Sequence, residues 1–239
     1  MTQLRNLQLI NALGSAIGQD FANPLFTLTP SDGLAIAKGL MPGASSFCAT
    51  GRMSGVSANT VGDDIWASAA PTIPYPPTAG EKITISSTNS NDRVGGTGVQ
   101  TVEVEYLDPS GNTFFETINL NGTTKITLAA AAVMFIQDAH ATSAGSNGLA
   151  LGNITIQSLN TPANVYAIIA AGTANSNNSM RMVPAGKTLY ITGWNIGNGT
   201  NSDLTFSLRT TSYEGTLIPS VFQEINYIES RTGPTYIPF

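Results

Sequence analysis

The chain has 239 residues, enough for one large core or two small ones, yet only 10% of them are charged against 41% hydrophobic; about a quarter charged is usual. Net charge is −5 and the ten Lys and Arg are scattered, which argues against gripping nucleic acid through its phosphates. A lone cysteine, Cys48, forbids an internal disulfide and suits folding in a reducing cytoplasm, while the longest apolar run, Leu128 to Ile136, is too short to span a membrane.

The chain opens without the pattern expected of a secretory signal. Residues 3–17 have helical spacing: Leu4, Leu7, Leu9, Ile10, Leu13 and Ile17 recur at threes and fours, and Gly18 is a stop signal. A helix this short is marginal alone, so it either packs on the rest of the chain or docks on a partner. From Asp20 to Ala70 the pattern thins among prolines and glycines. Two readings fit: an extended arm, or a loop-rich cover over one end of the main domain. Pro71 to Pro77 holds four prolines in seven residues. It reads as a stiff linker or an edge strand.

Period-two alternation takes over after Gly80. Ile83 and Ile85, then Val102, Val104 and Tyr106, then Ile154 and Ile156, alternate with polar residues. That is the mark of strands with one wet face. Strands are expected near 82–87, 99–107, 113–120, 124–128, 132–141, 152–157, 164–170, 179–183, 187–196, 203–210 and 221–228. Asp108-Pro-Ser-Gly-Asn112 and Asn121-Gly122 read as hairpin turns. The run 129–136 has helical propensity, but Val133 to Ile136 and the β surroundings favour a strand. Many short strands separated by turns indicate an all-β, antiparallel two-sheet β-sandwich, jelly-roll-like, with an N-terminal helix or extended arm. The aromatic terminus, Tyr236, Ile237 and Phe239, is expected to fold back on its own domain or tuck into a neighbour.

Candidates for chemistry are few. Asp138 and His140 alternate onto one strand face, but there is no second His and no further Cys to complete a zinc site. No Gly-x-Ser-x-Gly elbow accompanies His140. Glu103 and Glu105 share a face, as paired glycosidase acids would; a solvated strand face explains them equally. Asp63-Asp64 and Asn91-Asp92 offer oxygen ligands without the spacing of a calcium loop. Gly95-Gly96-Thr97-Gly98 lacks the lysine and helix of a phosphate loop. No catalytic set, metal or cofactor is expected.

The series Ser-Ser…Asp-Arg-Val-Gly-Gly-Thr-Gly…Thr-Val-Glu-Val-Glu-Tyr-Leu-Asp…Glu-Thr-Ile-Asn-Leu-Asn-Gly, between residues 86 and 122, resembles a β-rich module of virion structural proteins from tailed bacteriophages. Val-Pro-Ala-Gly-Lys-Thr-Leu-Tyr-Ile-Thr at 183–192 resembles a second element of such proteins. The resemblance covers roughly residues 80 to 210 and rests on turn glycines and strand alternation. It implies a capsid decoration (cement) protein, or a tail or fibre component. The expected organisation is a helix and arm over 1–70, a proline-rich linker over 71–79, a β-sandwich over 80–229 and a tail over 230–239. With the resemblance, the arm becomes the favoured reading of the early region. The implied partners are the major capsid protein and sister subunits, as a homotrimer, with no nucleic acid and no membrane. The implied location is the virion, after synthesis in the host cytoplasm. Expected interface residues are Leu4, Leu7, Leu13, Phe21, Phe26, Tyr236 and Phe239. The alternative is a tail or fibre protein binding host glycan through exposed aromatics such as Trp66, Trp194 or Tyr213.

Overall fold

The computed structural model describes residues 9–10, 16–17, 43–45, 47–53, 64–68, 73–191, 193–198, 204–210, 223–230 and 233–238. The chain divides into two compact units, Met1–Cys48 and Ala49–Phe239. In the first, β1 (Leu9–Ile10) pairs antiparallel with β2 (Ala16–Ile17), Leu9 facing Ile17. These four residues of the expected helix are therefore extended. The rest of that stretch lies outside the described residues.

The second unit is all-β, with no helix among the described residues. Its strands are β3 (Ile83–Ser87), β4 (Val99–Leu107), β5 (Thr113–Asn119), β6 (Ile126–Thr127), β7 (Phe135–Ala144), β8 (Ile154–Ser158), β9 (Val165–Ile169), β10 (Gly193–Asn198), β11 (Leu204–Thr210), β12 (Gln223–Ser230) and β13 (Gly233–Pro238). One antiparallel sheet has the order β6-β3-β8-β9 and a second the order β5-β4-β7. Two further pairs, β10 with β13 and β11 with β12, are also antiparallel.

The alternating residues do what their spacing requires. Ile83 and Ile85 from β3, Val102 and Val104 from β4, Ala139 from β7, and Ile154 and Ile156 from β8 fill one shared core. Burying the Ile and Val side chains among them contributes roughly 1.5–3 kcal/mol each. The two larger sheets thus face each other across a common core, as in a β-sandwich. Pro74, Pro76 and Pro77 do not keep their segment off this body. Ile73 packs with Trp66 and Ile168, and Tyr75 stacks on Phe135 at 5.5 Å beside Leu107.

Asp108–Asn112 is the hairpin turn its residues announce, joining β4 to β5. The Asp108 carboxylate accepts the Ser110 and Asn112 N–H groups at 2.9 and 2.8 Å, and Gly111 takes the left-handed φ of 77°. Asn121-Gly122 differs. Gly122 does turn the chain, at φ 60°, but β6 pairs with β3 in the other sheet. The turn closes a single bridge, Asn121 to Thr124 with the Thr124 N–H on the Asn121 carbonyl at 3.1 Å, and then carries the chain between sheets without a β5–β6 ladder. Residues 179–183 form no strand. Gln137 holds this segment through its side chain, donating to the Met182 carbonyl at 2.6 Å and accepting the Met182 N–H at 3.0 Å, so no ladder forms. The alanine run is neither helix nor long strand; Val133 alone bridges to Glu81. The C-terminal residues fold back, with β13 placing Trp194 opposite Ile237 and Asn195 opposite Tyr236.

One carboxylate ties the loops at one end of the sandwich. Asp92 is fully buried. It accepts the Ser87 hydroxyl at 2.6 Å and the N–H groups of Val99, Leu151 and Gly152 at 3.0, 3.0 and 2.9 Å. Its own carbonyl accepts the Gly122 N–H at 2.8 Å. A Cβ on Gly98 would collide with its Oδ1, so only glycine lets that loop close. Asp92→Asn turns an NH₂ toward the Val99 and Leu151 N–H groups in one amide orientation and toward the Gly152 N–H in the other. We expect a loss of about 3 kcal/mol or more, read as a lower urea midpoint at unchanged slope.

Candidate functional site

The face of β4 turned away from the core gathers most of the ionisable groups in question. Sheet register places Glu103 between Thr117 and His140, and Glu105 between Phe115 and Asp138. The two glutamates and the Asp138–His140 pair, far apart in the chain, therefore form one polar patch. His140 Nδ1 lies 3.2 Å from Asp138 Oδ2, and its Nε2 lies 3.8 Å from Glu103 Oε1. Asp138 Oδ1 also accepts the Ser176 hydroxyl at 3.2 Å. Glu105 forms a half-sheltered ion pair with Arg181, 76 residues further along the chain, a pairing no local pattern reveals.

This geometry limits the chemistry. The imidazole turns a different nitrogen to each acid, so one metal ion could not share both His140 and the two carboxylates around it. Among the described residues no group of three or more His, Cys, Asp or Glu is arranged to hold a metal ion. Glu103 and Glu105 sit two apart on one strand; Glu105 pairs with Arg181, while Glu103 lies 3.8 Å from the imidazole that also contacts Asp138. The His140 contacts are well exposed and so stabilise by less than about 1 kcal/mol.

The other acids have structural partners too. Asp64, a calcium candidate, accepts the Ile73 N–H at 2.8 Å and pairs with Arg209 at 2.8 Å. Asp92, the other candidate, is saturated by its four donors. Gly95–Gly98 is a turn held by that aspartate's neighbours, with Gly96 N–H on the Arg93 carbonyl and Gly98 N–H on the Asn91 carbonyl. A cavity of about 10 Å³ beside Tyr75, Phe135 and Met180 has room for one water at most.

Of the expected interface residues, Tyr236 lies on β13. Leu4, Leu7, Leu13, Phe21, Phe26 and Phe239 fall outside the described residues. Of the expected glycan contacts, Trp66 is 1% exposed and packs with Ile73 and Ile168. It is a core residue and cannot stack on a sugar; the hydrophobic segment after Pro71 closes over it. Trp194 is half-buried on β10, and Tyr213 falls outside the described residues. Sequence reasoning passed over the exposed aromatics Phe114, Phe115 and Tyr190. Two adjacent Phe in a strand that otherwise alternates were the available signal.

Comparison with known proteins adds no relative: no family model, no curated protein and no solved structure matches the chain.

A second ionisable cluster lies inside. Glu81 accepts hydrogen bonds from the Tyr166 hydroxyl and, at 2.7 Å, from the Ser158 hydroxyl. Burial, then the hydrogen bond to Glu81 and that acid's charge, push the Tyr166 phenol far above its ordinary 10.0. Burial and the charges of Glu116 and Asp108 raise Tyr106 as well. A phenol raised on folding contributes stability that is whole below the unfolded value and lost as pH climbs past it. Stability is therefore expected to fall above about pH 10. In urea titrations from pH 8 to 11, Tyr166→Phe is expected to start lower and decline less steeply, with the part due to Tyr106 retained.

Proposed function

We propose that the chain is a structural virion protein that decorates and stabilises the head of a tailed bacteriophage. The observation that carries this reading is where the resembling residues fall. Ser87, Asp92, Gly96 and Gly98 belong to the quoted motif, and all serve the buried Asp92 junction. The motif is thus tied to building a particular sandwich, which suits a resemblance of architecture. The polar patch on β4 supports a mechanical role, since its acids already hold internal partners.

In this reading the sandwich is jelly-roll-like. Its support is the path of the chain, which crosses between the two larger sheets after β3, β5, β6 and β7. An N-terminal arm, with Leu4, Leu7, Leu13, Phe21 and Phe26, grips the shell or sister subunits, and Tyr236 and Phe239 add to the contact. The subunits form a trimer at lattice three-folds. Area buried across subunit boundaries stabilises the shell by mass action.

A tail or fibre protein that binds host glycan is the second reading. Tyr190, 83% exposed within the second resembling stretch, favours it; aromatic rings of this kind stack on sugars.

Copy number in purified particles separates the two. A shell component is expected on the order of hundreds of copies, and a tail component at roughly a dozen or fewer. For the decoration reading, deleting residues 1–20 is expected to release the protein from heads and lower their thermal stability. Absence from particles sinks both readings. For the glycan reading, Tyr190→Ala is expected to abolish binding on a glycan array.

A further inference from the structure

The two edges of the β5-β4-β7 sheet are finished differently. Along β7 the chain covers its own edge: Ala141 N–H donates to the Ala174 carbonyl and Ser176 N–H to the Ala139 carbonyl, both at 2.8 Å. Gln137 then clasps Met182. Among the described residues nothing equivalent lies along β5.

The ladder fixes which β5 groups point outward. Asp108 N–H bonds the Asn112 carbonyl at 3.0 Å, and Leu120 N–H bonds the Gln100 carbonyl at 2.9 Å. Bonded and non-bonded pairs alternate in an antiparallel ladder, and β4 and β5 run between these points without a register shift. Phe114, Glu116 and Ile118 therefore bond to β4. The N–H and C=O groups of Thr113, Phe115 and Thr117 point away from it.

Free edges are normally blunted by lysine, proline, a bulge or an inward charge. β5 has no lysine, proline or bulge. Its one charge, Glu116, accepts the Ala129 and Ala130 N–H groups at 2.7 and 3.4 Å, which leaves it committed to its own chain. The edge instead displays Phe115, 62% exposed on the outer face, and Phe114, 45% exposed on the other and stacked on Tyr106 at 5.8 Å.

We propose that β5 is the edge through which two copies of this chain pair, antiparallel about a two-fold axis at Phe115. In that register Phe115 faces the second copy's Phe115 as a bonded pair. Thr113 faces the second copy's Thr117, also bonded, and Phe114 faces the second copy's Glu116. Every outward backbone group from 113 to 117 gains a partner. Aromatic–aromatic and Thr–Thr cross-strand pairs both stabilise. Charge argues for this register over the one centred on Glu116, which sets two carboxylates opposite each other. The contact is isologous and closes on itself as a dimer. It goes beyond the virion reading, because it requires no shell and no N-terminal arm.

Sedimentation velocity of the full-length chain, from low micromolar to hundreds of micromolar, tests it. A concentration-dependent monomer–dimer equilibrium is expected. Phe115→Asp, which opposes two charges at the axis, and Thr117→Pro, which removes an outward N–H that the fold does not use, are each expected to raise the dimer Kd at least about tenfold. In the wild type, amide exchange at Thr113, Phe115 and Thr117 is expected to slow as concentration rises. This readout stands even if a variant fails to fold. A chain that stays monomeric throughout overturns the proposal. So does self-association that leaves these amides unprotected or is unchanged in both variants; a partner of another kind would then be the occupant of β5.

Discussion

The rest of the sandwich depends on a carboxylate that has no cation among the described residues. Burying Asp92 without compensation would be prohibitive, because an ionised group taken out of water loses several kcal/mol of solvation. Four donors at 2.6–3.0 Å replace that water. They come from the end of β3, the start of β4 and the loop before β8. Strands of both larger sheets are thereby fixed to one side chain. The constraint explains local sequence that would otherwise look like loose glycine-rich loop. Gly98 admits the carboxylate, and Gly122 brings its N–H to the Asp92 carbonyl.

A similar economy runs through the other ionisable groups. Asp64 joins the segment before β3 to β11 through Arg209. Glu81 joins the same entry to β8 and β9 through Ser158 and Tyr166. Glu105 anchors the segment after Asn178 through Arg181. With so few charges in the chain, each that is withdrawn from water links elements that the hydrophobic core alone would leave free to slide. A buried carboxylate has directional demands that an isoleucine lacks, which makes these links suited to fixing register.

Alternation made β3, β4 and β8 legible in the sequence, because a one-residue slip would move every apolar side chain to the wrong face. The turn at Asp108–Asn112 was legible because its aspartate and glycine act locally. Asn121-Gly122 has the same chemistry, yet its destination is set by pairing with β3, far away in the chain. Local residues cannot encode that. The same limit hid the outer-face cluster. Glu103, Asp138 and His140 could be named from the sequence, but their meeting depends on the β4–β7 register and its bulges. Trp66 was misplaced because nothing beside it in the chain shows that Ile73 and Ile168 will cover it.

The crossing path of the chain also has a cost in time. Thr84 reaches the Gln157 carbonyl across 73 residues, and Glu81 reaches Tyr166 across 85. Little of the four-stranded sheet can form before β8 and β9 have been made. Non-local pairing of this kind folds slowly, because loop-closure entropy is lost before contacts compensate for it. On the ribosome, Ile83 and Ile85 must wait, uncovered, for Ile154 and Ile156 to emerge. The β4–β5 hairpin closes over only five turn residues and is free to form first, so it is the natural template on which the later strands collect.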